Sequence, residues 1–131
     1  MKTTAGLHGI ETVLVAEDSD QIRALAESLL SRLGYTVLLA ENGTEALEML
    51  AKHKGPVNLL LTDVVMPDMN GKELFERAAA QYPTLKVLYM SGYSGNVLSH
   101  RSVLEEGVAF IQKPFSVRDL AVKVWDALAK S

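Results

Sequence analysis

Short apolar runs alternate along the chain with longer segments in which apolar residues recur at helical spacing. The apolar runs, rich in β-branched and aliphatic residues, span 12–16, 36–40, 57–62, 86–90 and 108–112. After the first run, apolar residues lie at i, i+3, i+4, i+7, i+8 and i+11, which predicts one buried face of a helix; they are Ile22, Leu25, Ala26, Leu29, Leu30 and Leu33. Gly34 follows directly and is expected to end this helix, because glycine tolerates the left-handed conformation of a helix terminus.

Four further helices follow from the same spacing. They are predicted over 43–52, 71–81 and 94–106, and from Ser116 to near the end of the chain, with Ser116 as the candidate N-cap. The last helix should bury one stripe formed by Val117, Leu120, Ala121, Val124 and Leu128. Beside that stripe, Trp125 is expected either to widen the buried face or to belong to a docking patch.

Five strand–helix units in succession predict an α/β fold, (βα)5, with a doubly wound, five-stranded parallel sheet and helices on both faces. The nearly continuous apolar runs at 13–16 and 57–61 are typical of strands that are buried on both sides. We expect a loose N-terminal tail over 1–9 and one domain over 10–131. In such a fold, ligands bind outside the carboxyl ends of the strands, so the residues that follow each strand are the ones to examine.

The amino-acid composition excludes several kinds of protein and of binding site. The chain has 131 residues and no cysteine, which excludes disulfides and thiolate metal sites and is compatible with a cytoplasmic location. Its formal charge of −3 without a basic stripe argues against direct binding of nucleic acid. The first nine residues lack the apolar core of a signal peptide, and no apolar run is long enough to cross a membrane.

Polar residues with complementary chemistry follow four of the predicted strands. Glu17 and Asp18 follow the first strand, and Asp63, Ser91 and Lys113 follow the third, fourth and fifth. Each has an ordinary structural explanation when taken alone: a helix cap for the acidic pair, a turn for Asp63 and Ser91, and a solvated lysine before a helix. Because parallel strands end at one edge of the sheet, however, all of them should meet there, and this convergence favours a functional site.

The chemistry of such a site is that of a divalent cation and a phosphoryl group. Clustered carboxylates repel one another, and a hard oxygen-liganded cation such as Mg²⁺ relieves that repulsion. A phosphoryl group arriving at this edge would find a metal, the Lys113 ammonium and the Ser91 hydroxyl around it. An aspartate can act as the nucleophile and become an aspartyl-phosphate.

Over 11–129, the chain resembles the receiver domain of two-component response regulators. The segment Leu-Leu-Thr-Asp-Val-Val-Met-Pro-Asp-Met-Asn-Gly at 60–71 is similar to the family's phosphoacceptor segment. The acidic pair at 17–18, the hydroxyl at 91 and Lys-Pro-Phe at 113–115 are similar to its other signatures, in the same order. The sequence of the chain as a whole is most similar to those of receivers attached to hybrid sensor histidine kinases. The resemblance implies the flavodoxin-like strand order 2-1-3-4-5.

The resemblance also implies a role for each site residue. Asp63 would be the phosphoacceptor, with Ser91 and Lys113 contacting the phosphoryl oxygens. The side chains of Glu17, Asp18 and Asp63 and the main-chain carbonyl of Val65 would bind Mg²⁺, for which Mn²⁺ would be a substitute. Ser91 and Phe110 would form the switch, which would change the surface built from the fourth predicted helix, the fifth strand and the fifth helix.

The implied partner is a phosphohistidine donor, either a sensor histidine kinase or a histidine phosphotransfer protein. The resemblance implies a signalling domain of a phosphorelay, cytoplasmic, with no membrane contact, that is a monomer or a weak homodimer and catalyses only its own phosphorylation and slow dephosphorylation. Two positions depart from the common pattern. Phe110 lacks the hydroxyl of the tyrosine often found at the switch. Val65 and Tyr93 should exclude an attacking water, which predicts a long-lived aspartyl-phosphate.

Other functions on this fold fit the sequence less well. A hydrolase that works through an aspartyl-phosphate would need an acidic residue two positions after the nucleophile, where this chain has Val65. A nucleotide-binding enzyme would need a glycine-rich phosphate loop after the first strand, and neither common form is present. A phosphorylation-independent interaction domain remains the third alternative, since a fold does not fix a function.

Overall fold

The computed structural model describes residues 9–91 and 109–129, and all structural statements refer to these. Strands and helices alternate from residue 9 to residue 91, and residues 109–129 add one further strand and one further helix. In chain order they are β1 (Thr12–Ala16), α1 (Asp20–Arg32), β2 (Thr36–Ala40), α2 (Gly43–Lys52), β3 (Leu59–Asp63), α3 (Gly71–Gln81), β4 (Lys86–Ser91), β5 (Phe110–Gln112) and α4 (Val117–Ala129). The helix α4 is the fifth helix of the sequence prediction, because the one predicted over 94–106 lies outside the described residues, as do residues 1–8 of the predicted tail.

The five strands form one parallel sheet in the order β2-β1-β3-β4-β5, as the resemblance implied. The central strands β1 and β3 are paired from Val13 opposite Leu59 to Ala16 opposite Thr62. On the other side of β3, Asp63 lies opposite Met90 of β4. The carboxyl ends of β1, β3 and β4 are therefore neighbours, and residues at these ends are brought to one edge.

Two hydrophobic layers cover the two faces of the sheet, so the fold is doubly wound as predicted. Apolar residues of α1 and α4 pack against one face, where Leu30 and Leu120 are completely buried. Those of α2 and α3 pack against the other, where Leu50 and Leu74 fill the same role. In the described part of the chain, no helix has the length and apolar character that crossing a membrane requires.

Local sequence signals explain where the helices begin and end. Ser19, Asn42 and Asn70 each accept a hydrogen bond from a backbone N–H in the first turn of α1, α2 and α3. Gly34 follows α1 with a φ of 98°, a conformation that glycine adopts without strain. Ser116 accepts a hydrogen bond from the Asp119 N–H at 3.0 Å, which confirms its predicted role as a cap of the last helix.

The start of the third strand was predicted wrongly. The third strand begins at Leu59 rather than at residue 57, because the Asn58 side chain accepts a hydrogen bond from the Thr12 N–H at 2.9 Å just before the regular ladder starts. Asp63 ends β3 and Ser91 ends β4, so both residues lie at the carboxyl ends of their strands. The fifth strand begins at Phe110 in the described residues.

Two residues that were expected to face the core, Leu25 and Val117, are exposed, and so is Trp125, for which burial was one of two expectations. Leu25 and Val117 are both open to solvent, and Trp125 retains 41% of its accessible surface. Leu25 is next to the buried Ala26, and Trp125 is next to the buried Val124. Neighbouring residues of a helix point about 100° apart, so both side chains lie at the margin of the buried stripe. Val117 is the first residue of α4. Trp125 therefore does not simply widen the buried face.

Candidate functional site

Three carboxylates converge where β1 and β3 end. Glu17 follows β1 directly, Asp18 comes next, and Asp63 is the last residue of β3. One carboxylate oxygen from each lies within 4.8 Å of the others. The register explains this, because Ala16 and Thr62 are paired and the next residues of both strands are Glu17 and Asp63. We call Glu17, Asp18 and Asp63 the acidic cluster.

Lys113 places its ammonium group between two members of the acidic cluster. Its Nζ lies 2.9 Å from Glu17 Oε1 and 3.0 Å from Asp63 Oδ2. Its backbone N–H donates to the Ser91 carbonyl at 2.9 Å, so the residue is fixed beside the end of β4. The peptide bond from Lys113 to Pro114 is cis.

Glu17 is completely buried and is held through every polar group it carries. Its N–H donates to the Ala40 carbonyl at 3.0 Å, and its carboxylate accepts from the Ser19 N–H at 2.9 Å as well as from Lys113. The Glu17 carbonyl accepts from Arg23 Nη1 at 2.7 Å. The loop between β1 and α1 is therefore fixed by hydrogen bonds on both sides of its first acidic residue.

Burial controls the protonation of the acidic cluster. It raises the pKa of both Glu17 and Asp63, although the hydrogen bonds and the charge of Lys113 act in the opposite direction. Burial acts to lower the pKa of Lys113, but its hydrogen bonds and charge interactions with Glu17 and Asp63 raise it overall. One ammonium thus does not fully compensate the carboxylates around it.

This charge imbalance and these donor atoms fit a divalent cation. Three carboxylates and one ammonium carry a formal charge of −2. Carboxylate oxygens are the ligands that Mg²⁺ prefers in proteins. Asp18 and Val65 are exposed while Glu17 is buried, so the acidic cluster is open to solvent on the side of Asp18 and Val65.

Three other residues singled out from the sequence are described by the structure: Val65, Ser91 and Phe110. The Val65 N–H donates to the Asp63 carboxylate, and the Val65 side chain remains 55% exposed. Ser91 ends β4 one residue beyond the partner of Asp63, and Phe110 lies on β5 opposite Tyr89 with 47% of its surface exposed. Tyr93, at the predicted mouth of the site, lies outside the described residues.

The loop that follows Asp63 is packed very closely against the end of β3. The Val64 N–H donates to the Met90 carbonyl at 3.0 Å, and the Gly71 N–H donates to the Val64 carbonyl at 2.8 Å. A Cβ atom at Gly71 would lie 2.3 Å from the Asp63 carbonyl oxygen, a distance that no side chain tolerates. Glycine is therefore required at this position for α3 to begin beside the acidic cluster.

Two residues near the acidic cluster were not identified from the sequence. Arg23 binds the Glu17 carbonyl, and its position in the first helix gave no sign of this contact. Asp68 accepts hydrogen bonds from the Gly43 N–H at 3.1 Å, the Thr44 N–H at 2.7 Å and Thr44 Oγ1 at 2.7 Å. Its slight burial acts to raise its pKa, but these hydrogen bonds lower the pKa to about 2. The only available signal was that Asp68 lies within the segment that resembles the phosphoacceptor motif.

Comparisons with known proteins agree with this architecture. A family model described as the response regulator receiver domain matches residues 13–124. The sensor kinase CckA of Brucella abortus (strain 2308) is 36% identical over 124 residues, which are 95% of this chain and 13% of that protein. The response regulator receiver protein CpdR of the same organism is 36% identical over 115 residues, or 88% of this chain and 94% of that protein.

A solved structure extends the agreement to three dimensions. The receiver domain of the hybrid histidine kinase CckA superposes with a TM-score of 0.74 at 36% identity, covering 89% of this chain and 98% of that one. The sequence match, the strand order and the position of the acidic cluster all point the same way. The chain therefore belongs to the family of response regulator receiver domains.

Proposed function

We propose that this chain accepts a phosphoryl group on Asp63 from a phosphohistidine donor, in a reaction that requires Mg²⁺. The observation that carries the proposal is the position of the Asp63 carboxylate. It lies beside two further carboxylates and 3.0 Å from an ammonium group, at the one edge where the central strands end. Phosphoryl transfer depends on the placement of charge around the transferred group, and this arrangement supplies it.

Glu17, Asp18, Asp63 and the main-chain carbonyl of Val65 would hold the metal ion. The formal charge of −2 at a largely buried group of carboxylates favours a divalent cation here. Mn²⁺ is expected to substitute, because it accepts the same oxygen ligands. The ion would neutralise the charge that the phosphoryl oxygens carry during transfer.

Lys113 and Ser91 would contact the phosphoryl group. In this structure Lys113 compensates the negative charges of Glu17 and Asp63. A small movement of its side chain would bring the ammonium to an oxygen of a phosphoryl group bound to Asp63. Ser91 is held on β4 beside β3, and its carbonyl accepts a hydrogen bond from Lys113, so the two residues are coupled through the backbone. A phosphoryl group adds charge and acceptor oxygens, which gives both side chains a reason to reorient.

Phosphorylation would change the surface of the domain through movements of Ser91 and Phe110. When Ser91 turns toward the phosphoryl group it vacates space beside β5, and the half-exposed Phe110 would turn inward to fill it. The surface that changes would include β5, α4 and the helix predicted over 94–106. Trp125 on α4 is exposed and would belong to the same surface.

The donor would be a sensor histidine kinase or a histidine phosphotransfer protein. The relative CckA is named a sensor kinase, and its receiver covers nearly the same residues as this chain. The chain would act in the cytoplasm as a monomer or weak homodimer, without touching a membrane. Its formal charge of −3 argues against direct contact with nucleic acid.

Intact-mass spectrometry after treatment with a small acyl-phosphate donor tests the proposal. Wild-type protein should gain one phosphoryl group with Mg²⁺ and none with a chelator, and Asp63→Asn should gain none under either condition. Asp18→Asn should react more slowly because it removes a metal ligand. Asp126→Asn, which removes an exposed carboxylate on α4, should behave like wild type. Unmodified wild-type protein, or full modification of Asp63→Asn, would refute the proposal.

A further inference from the structure

The loop between β3 and α3 is attached to a second helix, α2, by a contact that none of the proposed chemistry requires. We infer that Asp68 is a positioning residue, which ties this loop to the first turn of α2 and thereby restricts the backbone that carries the Val65 carbonyl, a proposed metal ligand. The inference rests on the proposed function, because it concerns the affinity of the same metal site.

The contact is made by one carboxylate and three donors of α2. Asp68 Oδ1 accepts from the Gly43 N–H at 3.1 Å, and Oδ2 accepts from the N–H and the hydroxyl of Thr44, both at 2.7 Å. Asn42 already caps α2 through the Glu45 N–H. Asp68 is therefore a second acceptor at this helix end, supplied from 24 residues away in the sequence.

Packing beside these hydrogen bonds shows that loop and helix are in direct contact. A Cβ atom at Gly43 would lie 2.4 Å from Met69 Cγ, so the absence of a side chain at Gly43 permits the approach. Met69 in turn packs against the hydrophobic layer formed by α2 and α3. The contact therefore combines hydrogen bonds with a close apolar fit.

The rest of the loop explains why this attachment matters for Val65. Val64 is fixed by hydrogen bonds to β4 and to Gly71, and Met66 is buried. Beyond Met66 the chain is mostly exposed: Pro67, Asp68 and Asn70 bury little surface, and Met69 alone is partly buried. Asn70 caps α3, and the hydrogen bonds of Asp68 attach the outer half of the loop to α2. They limit the backbone freedom that metal binding would otherwise have to remove.

Because of thermodynamic linkage, the inference can be tested on the metal affinity and on the contact between Asp68 and α2. If the contact between Asp68 and α2 favours metal binding, then metal binding must favour the contact by the same factor. Saturation with Mg²⁺ should therefore slow hydrogen exchange at the Gly43 and Thr44 amides. Neither amide belongs to a proposed metal ligand, so a direct effect of coordination does not explain slower exchange there.

The experiment is a titration of ¹⁵N-labelled full-length chain with Mg²⁺, followed by NMR, on wild type and four variants. Thr44→Val removes the hydroxyl donor without changing charge, and it should raise the dissociation constant for Mg²⁺ at least about fivefold. Thr44→Ser keeps the hydroxyl and should restore wild-type affinity. Asp68→Ala removes all three hydrogen bonds and should weaken binding further, whereas Glu48→Gln removes an exposed charge on α2 and measures the Coulomb effect alone.

The outcomes separate this inference from the proposed function. Failure of wild-type protein to bind Mg²⁺ would overturn both. Normal binding by wild type, Thr44→Val and Thr44→Ser alike would overturn the positioning role and leave the metal site intact. A loss in Asp68→Ala no larger than that in Glu48→Gln would mean that only charge is involved, which also overturns the inference.

Discussion

Glu17 and Asp68 are both acidic, yet their surroundings move their pKa values in opposite directions. Glu17 is buried beside another carboxylate, and burial raises its pKa despite its bond to Lys113. Asp68 is exposed and accepts three hydrogen bonds, which outweigh its slight burial and lower its pKa to about 2. Whether a carboxylate is stabilised in its charged form is therefore decided by the balance between its burial and the donors that face it, rather than by the type of residue.

The low pKa of Asp68 predicts a pH-dependent contribution to stability. A carboxyl group whose pKa falls on folding stabilises the protein above its unfolded value of 3.8, and this contribution is lost as the pH falls toward 2. Asp68→Asn should therefore be less stable than wild type at neutral pH, and the difference should shrink below about pH 4. Urea unfolding of both proteins at a series of pH values measures this, and a difference that stays constant down to pH 3 would contradict it.

Val65 should govern how long the phosphorylated state survives. Its side chain is exposed two residues after Asp63, and an aliphatic group there cannot orient a water molecule for attack. Val65→Asn should shorten the half-life of the aspartyl-phosphate by about tenfold or more, the usual order for positioning an attacking group. Val65→Ile is the matched control and should keep the wild-type half-life. Loss of phosphate from wild-type protein within seconds would contradict the role given to Val65.

The start of α3 depends on a glycine that has no room for a side chain. A Cβ at Gly71 would lie 2.3 Å from the Asp63 carbonyl oxygen, so the backbone would have to move at the proposed phosphoacceptor itself. Gly71→Ala should lower the free energy of unfolding by about 1–3 kcal/mol and slow phosphorylation. Gln81→Ala, at the exposed end of the same helix, should change neither. Equal stability of Gly71→Ala and wild type in urea would show that Gly71 does not approach the Asp63 carbonyl so closely.

The elements that were predicted accurately are those whose signals lie within a few residues. The strands at 12–16 and 36–40 and the helices at 43–52 and 71–81 have the bounds expected from apolar spacing and from nearby caps. Leu25 and Val117 were wrongly placed in the core, because helical spacing gives a direction but not the width of the surface that a helix covers. For Trp125 the sequence left a buried and an exposed position open, and the side chain is exposed. The start of β3 was also missed, since it depends on a contact between Asn58 and Thr12 that local sequence does not reveal.

For the whole molecule, the acidic cluster is a destabilising feature that a metal ion should relieve. The pKa of Asp63 is raised by burial, so the stabilising effect of its proton is present below 3.8 and is lost as the pH rises through the folded value. At pH 7 and without metal, Asp63→Asn should therefore be more stable than wild type.

Added Mg²⁺ should reverse this order of stability. At 100 times its dissociation constant, an ion that binds only the folded state adds about 2.7 kcal/mol to the stability of wild type, and Asp63→Asn should gain much less. Thermal unfolding of both proteins with Mg²⁺ and with a chelator measures these effects. Identical gains in the two proteins would place the ion away from Asp63.

The convergence at the edge of the sheet could be predicted because it follows from topology. Once five parallel strands are recognised, the residues after β1 and β3 must be neighbours, and Glu17, Asp18 and Asp63 are found together. The contact of Asp68 with Gly43 and Thr44 could not be predicted in this way. It depends on how far the loop after β3 reaches across the sheet edge, which the local sequence does not reveal.

The most direct test is to map the modified residue after phosphorylation. Treatment with an acyl-phosphate donor and Mg²⁺, followed by borohydride reduction, converts an aspartyl-phosphate to homoserine, which peptide mass spectrometry locates. The expected result is a single converted residue, Asp63, and no conversion when Mg²⁺ is removed. Conversion at Asp18 or at any other carboxylate, with Asp63 intact, would contradict the proposed role of the acidic cluster.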